Sequence, residues 1–241
     1  MNVCAVKTLT EITPQLGFDY LLNFGFTTLV QNRTEKDGSV VSDIQQPLAL
    51  GGITDGITNL EITAAYATIA NQGTYTRPVF YSKVVDSNGR ILLDNTTPTT
   101  HTVLKSSTAS LLTQGMTSVI TEGTGKACAL TDGMPVSGKT GTTSSAYDLW
   151  FCGYTPYLTA SIWTGYDENK ELGSDQAYHE RLWSKIMSQI DQVKGYKIKD
   201  FEMSDDVEEV TLCSSSGALA IEGVCPHTYT EYFSKDNCTN K

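Results

Sequence analysis

Two runs rich in aromatic and β-branched residues, LWFCGY and YLTASIWTGY, stand only a short turn apart at Thr155-Pro156. Runs of that composition read as strands, and so short a connection joins them only in antiparallel order, because a parallel crossover needs a dozen or more residues. Directly upstream, Val136 to Thr143 has the β-branched content of a further extended segment. The middle of the chain is therefore expected to hold an antiparallel sheet.

Helical signals surround it. VCAVKTLTEI carries apolar residues at helical spacing, and DYLLNFGF continues after a break expected at Pro14 and Gly17. A polar loop, QNRTEKDGSVVSDIQQP, leads to TNLEITAAYATIANQG. There Thr58 and Glu61 have the spacing of a capping box and Gly73 supplies the stop. VFYSKVVD and RILLDN flank Ser87-Asn88-Gly89, a hairpin signal. STASLLTQGMTSVIT predicts a helix with Leu111, Leu112, Met116, Val119 and Ile120 on one face. In the final helix, expected over 175–193, Tyr178, Leu182, Ile186 and Ile190 recur every fourth residue beside Trp183 and Met187. That stripe is expected to cover the sheet and not to bind a cofactor. The fold class is α+β, an antiparallel sheet flanked by helices. Beyond the last helix, an acidic, Ser- and Gly-rich segment reads as a linker and a small appended element.

With 17 Lys and Arg against 27 Asp and Glu, the chain carries a formal charge of −10, and no basic cluster interrupts it. Such a surface repels phosphate backbones, so no nucleic-acid partner is expected. The apolar runs are far shorter than the roughly 20 residues that span a bilayer, and the first residues lack a signal-peptide layout. Cys4, Cys128 and Cys152 lie among apolar neighbours and are expected to be buried free thiols, whereas Cys213, Cys225 and Cys238 crowd the tail. The tail cysteines and His227 lack the paired C-x-x-C knuckle of a zinc site. A disulfide between two of the three, in an oxidising compartment, is the better expectation, and no metal is assigned.

GMPVSGKTGTT, residues 133–143, fits two motifs. From Gly133 it is G-x-x-x-x-G-K-[ST], a phosphate loop; from Lys139 it is K-T-G, a motif of serine acyl-transfer enzymes. A phosphate loop needs a buried strand before it and a helix after it. ACALTDG makes a poor strand, Pro135 removes a loop N–H, and the helix propensities of Gly-Thr-Thr-Ser-Ser sum to a penalty of about 3 kcal/mol relative to alanine. The extended alternative puts Thr140 and Thr142 on one face of a strand and Lys139 and Gly141 on the other. Two hydroxyls can hold a carboxylate, an ammonium adds positive potential, and glycine lets a peptide-like ligand lie close. Three residues alone leave open that Lys139 is an ordinary solvated lysine.

The longer stretch GKTGTTSSAYDLWFCGYTPYLTASIWTGYD resembles penicillin-binding proteins, particularly the bifunctional class A enzymes. LALGGITDGITNLEITAAYATIANQGTYTRPVFYSKVVDSNGRIL, EGTGKAC and CSSSGALAIEGVCPHTYTEYF resemble the family's helix-plus-hairpin segment, its glycine-rich turn and the cysteine-bearing extension of Gram-positive members. The resemblance implies a β-lactamase/transpeptidase-like fold, incomplete at the N-terminus, in a DD-transpeptidase that cross-links peptidoglycan stem peptides and is acylated by β-lactams. It implies no cofactor. Residues 1–195 would be the C-terminal portion of the transpeptidase domain, and 196–241 a linker and cysteine-containing extension. Lys139 would set the local potential, Thr140 would contact the ligand carboxylate, and Gly141 and Thr143 would belong to the same binding strand. Thr142 would offer its hydroxyl to the carboxylate and its N–H to the oxyanion. No Ser-x-x-Lys and no Ser-x-Asn occur in the chain. NVCAVKTL resembles the sequence that follows the second motif, which would make Asn2 its asparagine. The nucleophilic serine, a glycosyltransferase domain and a membrane anchor are then expected upstream, the setting extracytoplasmic, and the fragment inactive alone. The competing expectation is a non-catalytic wall-binding or regulatory module of the same fold.

Overall fold

The computed structural model describes residues 2–236, so Cys238 lies outside the described residues. The chain divides into two compact units, Met1–Thr68 with Thr74–Val103, and Ile69–Gly73 with Leu104–Lys241.

In the first unit, α1 (Asn2–Ile12) and α2 (Pro14–Asn23) meet at Thr13, whose φ is 76°. The break falls earlier than expected from the sequence. Proline is tolerated in a first turn, where its missing N–H leaves no bond unmade, and the Thr13 hydroxyl accepts from Leu16 N at 3.3 Å. Gly17 lies inside α2, where a Cβ would come within 2.5 Å of Leu9 Cδ1. Leu9, Phe18 and Leu48 form the buried centre of this unit. The expected polar loop contains two paired short strands, β1 (Arg33–Thr34) and β2 (Val40–Val41). Asp43 anchors the chain after them: it is buried, and its carboxylate accepts from Val30 N and Thr54 N at 2.7 Å each. Helix α3 (Asn59–Ala70) begins with the expected capping box, Thr58 Oγ1 accepting from Glu61 N at 3.2 Å and Glu61 Oε2 accepting from Thr58 N at 3.0 Å. Strands β3 (Thr74–Thr76), β4 (Lys83–Val85), β5 (Ile91–Asp94) and β6 (Thr100–Thr102) form two antiparallel pairs, β3 with β6 and β4 with β5. The second pair is the hairpin expected around Ser87-Asn88-Gly89. Cys4 is exposed on α1, contrary to the expectation of a buried thiol. Of the first helix only Leu9 is buried, so the apolar neighbours of Cys4 do not close over it.

The second unit is built on a sheet of β7 (Ser137–Thr142), β8 (Asp148–Tyr154) and β9 (Thr159–Gly165), antiparallel in the order β7-β8-β9. Helix α4 (Ser106–Thr121) packs on one face and α5 (Tyr178–Lys194) on the other. Beneath α5, Phe151 and Trp183 meet edge to face at 4.9 Å, and Trp183 Nε1 donates to Ala160 O at 3.0 Å. Removing either ring from water contributes about 2 kcal/mol or more, and the edge-to-face contact adds about 1 kcal/mol. Cys128, Leu130, Met134, Val136 and Met187 complete this core.

Both helices bury only part of the faces read from the sequence, Ile120 on α4 and Trp183 and Met187 on α5. On α4 the buried residues are Ser107, Ala109, Ser110, Thr113 and Ile120, while Leu112 is exposed. Small residues let the helix backbone approach the sheet closely, and the Thr113 hydroxyl closes a buried network with Tyr154 at 2.7 Å. On α5 the buried line runs through His179, Trp183, Met187 and Asp191, and Leu182 and Ile186 face outward. The bulk and indole N–H of Trp183 set that rotation.

The unit ends in β10 (Val207–Cys213) and β11 (Thr228–Ser234), an antiparallel pair. Ser204 precedes it and is tied to α4, its N–H donating to Ser110 Oγ at 2.9 Å. No helix among the described residues is long and apolar enough to cross a membrane.

Candidate functional site

The K-T-G motif occupies β7, with Lys139, Thr140, Gly141 and Thr142 opposite Cys152, Phe151, Trp150 and Leu149 of β8. Directly opposed residues point to the same face of an antiparallel sheet. Lys139 and Gly141 thus share the α4 face with Cys152 and Trp150, and Thr140 and Thr142 share the α5 face with Phe151 and Leu149. The alternation is the one expected from the sequence. No helix leaves Thr140, as a phosphate loop would require; the chain after β7 makes only a single 3₁₀ turn, Ser144–Ala146.

Backbone polarity defines the edge. Thr143 N donates to Asp148 O at 3.1 Å, which makes that opposed couple a hydrogen-bonded pair. Pairs along an antiparallel ladder alternate, so Gly141 and Lys139 are bonded to β8 while the N–H and C=O groups of Thr142 and Thr140 point away from it. The far side of β8 agrees, because Thr155 N donates to Leu158 O at 2.9 Å, assigning the other residues of β8 to β9. Strand β7 is terminal in its sheet, and among the described residues no strand covers its outer side. Thr142 N–H and Thr140 C=O therefore look outward.

The Lys139 ammonium is drawn to the same rim. Its side chain is exposed, and Nζ donates to Thr140 O at 2.8 Å. The hydroxyl of Thr140 meets that of Thr124 at 2.6 Å. Thr124 lies in the EGTGKAC turn after α4, a segment singled out from the sequence without any role for this residue. The composition of that turn was the available signal. Thr142 is exposed at the end of the strand.

Past Thr142 the chain turns tightly. Thr143 Oγ1 donates to Asp148 Oδ2 at 3.0 Å and accepts from Asp148 N at 2.8 Å, so its hydroxyl is engaged in closing the turn. Asp148 Oδ1 accepts from Trp163 Nε1 at 2.8 Å. Ser145 and Ala146 take φ of 59° and 50°, a left-handed conformation that non-glycine residues adopt at a cost of order 1–3 kcal/mol. Ala146 O accepts from Leu172 N at 3.1 Å, which holds the turn in that shape. Sequence reading missed the part played by Asp148, because an aspartate before an apolar strand carries no distinguishing pattern.

Behind the rim, burial pushes the Cys152 thiol up to about 11, and desolvation also raises the Tyr154 phenol. Both stay neutral at physiological pH, so neither competes with an anionic ligand for Lys139. Among the described residues no cluster of His, Cys, Asp or Glu is suited to hold a metal ion. Asn2, the remaining residue singled out from the sequence, is the exposed first residue of α1 and belongs to the other unit.

The chemistry the rim offers is a row of hydroxyls, the Lys139 ammonium and the outward N–H groups of Thr140 and Thr142. It suits a ligand that is extended, carries a carboxylate, and develops negative charge on a carbonyl oxygen.

Comparison with known proteins points the same way. Residues 1–188 match the penicillin binding protein transpeptidase domain, and residues 203–238 match the penicillin-binding protein 1A C-terminal domain. The chain is 32% identical over 225 residues to penicillin-binding protein 1A of Aquifex aeolicus, a match that covers 92% of this chain and 28% of that protein. The crystal structure of penicillin-binding protein 1A from Haemophilus influenzae superposes with a TM-score of 0.73 at 19% identity, covering 97% of this chain and 38% of that one. PonA1 of Mycobacterium tuberculosis, solved in complex with penicillin V, superposes with a TM-score of 0.58 at 25% identity, covering 71% of this chain and 47% of that one. The chain thus spans less than a third of the length of its curated relative.

Proposed function

The chain belongs to the penicillin-binding protein transpeptidase family, and on that premise we propose that it supplies the ligand-facing strand of a domain that cross-links peptidoglycan stem peptides through an acyl-serine intermediate. The observation that carries this reading is the outward N–H of Thr142 on an uncovered strand edge, beside the Lys139 ammonium and the Thr140 hydroxyl.

In this reading a stem peptide lies along β7 as an added strand, its carboxylate between the hydroxyls of Thr140 and Thr142 and within the field of Lys139. Gly141 keeps the strand surface low beneath it. When a nucleophile attacks the peptide carbonyl, the oxygen gains charge and the Thr142 N–H stabilises it, an interaction stronger in the transition state than in the ground state. Thr143 acts through the turn: by fixing Asp148 it fixes the direction in which Thr142 presents its N–H. Asn2 is assigned the asparagine of the second motif. β-Lactams, which carry a carboxylate beside a strained amide, are assigned the same strand.

Nucleophilic catalysis needs a hydroxyl activated by an adjacent base, and no Ser-x-x-Lys occurs in these residues. The acylated serine is therefore assigned to sequence outside this chain, together with a glycosyltransferase domain and a membrane anchor, and the setting is extracytoplasmic. Residues 1–195 are assigned to the transpeptidase domain and 196–241 to the linker and extension. The absence of Ser-x-x-Lys also favours a second reading, in which the same strand binds wall peptides without acylation.

Fluorescent penicillin discriminates them. The chain alone is expected to give no covalent band, and a covalent band would overturn the assignment of the nucleophile. Fused behind a family segment that carries Ser-x-x-Lys, it should label, and Lys139→Ala should reduce labelling by about tenfold or more, the worth of a hydrogen bond to a charged group. A folded fusion that stays unlabelled would favour the binding module.

A further inference from the structure

Cys213 closes β10 opposite Thr228, the first residue of β11, yet the segment between them is no simple hairpin loop. It folds back on β10 first. Cys213 N donates to Ala218 O at 2.8 Å, Ala220 N donates to Thr211 O at 3.0 Å, and Leu212 bridges to Leu219. The chain then turns a second time over residues 221–225, where Val224 N and Cys225 N both donate to Ile221 O, at 3.1 and 3.0 Å. Ile221 N donates to Cys225 Sγ at 3.4 Å, and Ser214 N donates to His227 O at 3.0 Å. The double reversal brings Cys225 back beside the end of β10, where Cys213 lies.

We propose that Cys213 and Cys225 form a disulfide that clamps the 214–227 segment against the end of β10. The two reversals return Cys225 to the end of β10, where Cys213 lies, and the other thiols among the described residues are placed differently: Cys128 and Cys152 are buried in the sheet core, and Cys4 is exposed on the other unit.

The environment also prepares the attacking sulfur. The Cys225 S–H, the Ser215 and Ser216 main chain and the Ser216 hydroxyl hold the Cys213 thiol down at about 7, where an appreciable fraction is thiolate at neutral pH. By contrast Cys152 is held up at about 11. In the reaction the Cys213 thiolate attacks one sulfur of an external disulfide, such as oxidised glutathione, and expels a thiolate that takes up a proton. Cys225 then gives up its proton and displaces the second thiol from the mixed disulfide. Two protein thiols lose two electrons and two protons, and the external disulfide becomes two thiols.

This inference stands apart from the reading of β7, and its test leaves that strand untouched. Lys199 and Lys235 bracket both cysteines with no Lys or Arg between them, and Cys238 lies beyond Lys235. Tryptic peptide 200–235 therefore contains Cys213 and Cys225, while Cys238 falls in 236–241. The full chain is exposed to oxidised glutathione, denatured, alkylated and digested. Peptide 200–235 should then carry no alkyl group and weigh two hydrogens less than its reduced form. Cleavage after Glu222 should leave its two parts joined until a reductant is added. In Cys213→Ser, Cys225 should become fully open to alkylation, and the drop in thermal midpoint that reduction causes in the parent chain should disappear. Alkylation of both cysteines in the oxidised chain would overturn the proposal, as would stable glutathione adducts on each or a link between peptides 200–235 and 236–241.

Discussion

Gly138 and Gly141 stand on one strand and answer to different demands. A Cβ on Gly138 would lie 2.6 Å from Cys152 O and 2.7 Å from Phe151 Cζ, so the sheet itself requires glycine there. At Gly141 the nearest atom to such a Cβ is Trp150 Cβ at 3.3 Å, a contact that small shifts relieve. Gly138→Ala should therefore destabilise the second unit by about 1–3 kcal/mol, the range for overpacking a tight core, whereas Gly141→Ala should change stability by less than about 1 kcal/mol. If Gly141 serves a ligand, its variant should instead weaken peptide binding. Thermal denaturation alongside a binding titration separates the two, and equal loss of stability in both variants would contradict the assignment. At this scale the motif residues were legible, because strand alternation alone sorts Lys139 and Gly141 from Thr140 and Thr142. The supporting contacts were not. Thr124 reaches Thr140 only through the folding of the turn after α4, and Asp148 matters only because the turn brings Thr143 onto it. Contacts of that kind depend on tertiary geometry and leave no local pattern.

Among the elements, strands and helices were largely readable, and their orientation was not. The capping box at Thr58 and the hairpin at Thr155-Pro156 are local chemistry, and both formed as expected. The buried faces of α4 and α5 were read only in part, correctly at Ile120, Trp183 and Met187, because counting apolar residues ignores what the sheet presents to each helix. Tyr154 and Ser137 offer hydroxyls to α4 and so select small and hydroxylated residues, while Phe151 selects Trp183 on α5. One cost of the α5 orientation is Asp191. It is 2% exposed, and neither carboxylate oxygen finds a hydrogen-bond partner among the described residues. Desolvation, and secondly the nearby charge of Asp132, raise its pKa above the ordinary value of 3.8. A raised carboxylate favours folding while protonated. Its contribution is complete below 3.8 and is lost as pH climbs through the folded-state value. Asp191→Asn should therefore have a higher thermal midpoint than the parent chain at pH 8, with the difference shrinking towards zero near pH 4. A difference that does not depend on pH would contradict this reading of Asp191.

For the molecule as a whole, a chain of formal charge −10 places its exposed K-T-G lysine on a sheet edge that no strand covers among the described residues. The family was legible in the sequence because the resemblance runs through the sheet, the turn before it and the tail. The sequence-level case against a phosphate loop rested on propensities worth a few kcal/mol, and a continuous antiparallel ladder from Ser137 to Thr142 now stands where the loop and helix would be. The proximity of Cys213 and Cys225 was not legible, since it arises from two successive reversals between β10 and β11. The central claim is that this edge receives an acyl-peptide through its outward main chain. The most direct test is to titrate the isotopically labelled chain with a peptidoglycan stem peptide while following amide resonances. The account predicts saturable shifts at Thr142 and its neighbours on β7, weakened by about tenfold or more in Lys139→Ala. A Thr142 amide that stays unmoved while resonances elsewhere saturate, or that responds instead to magnesium-ATP, would contradict it.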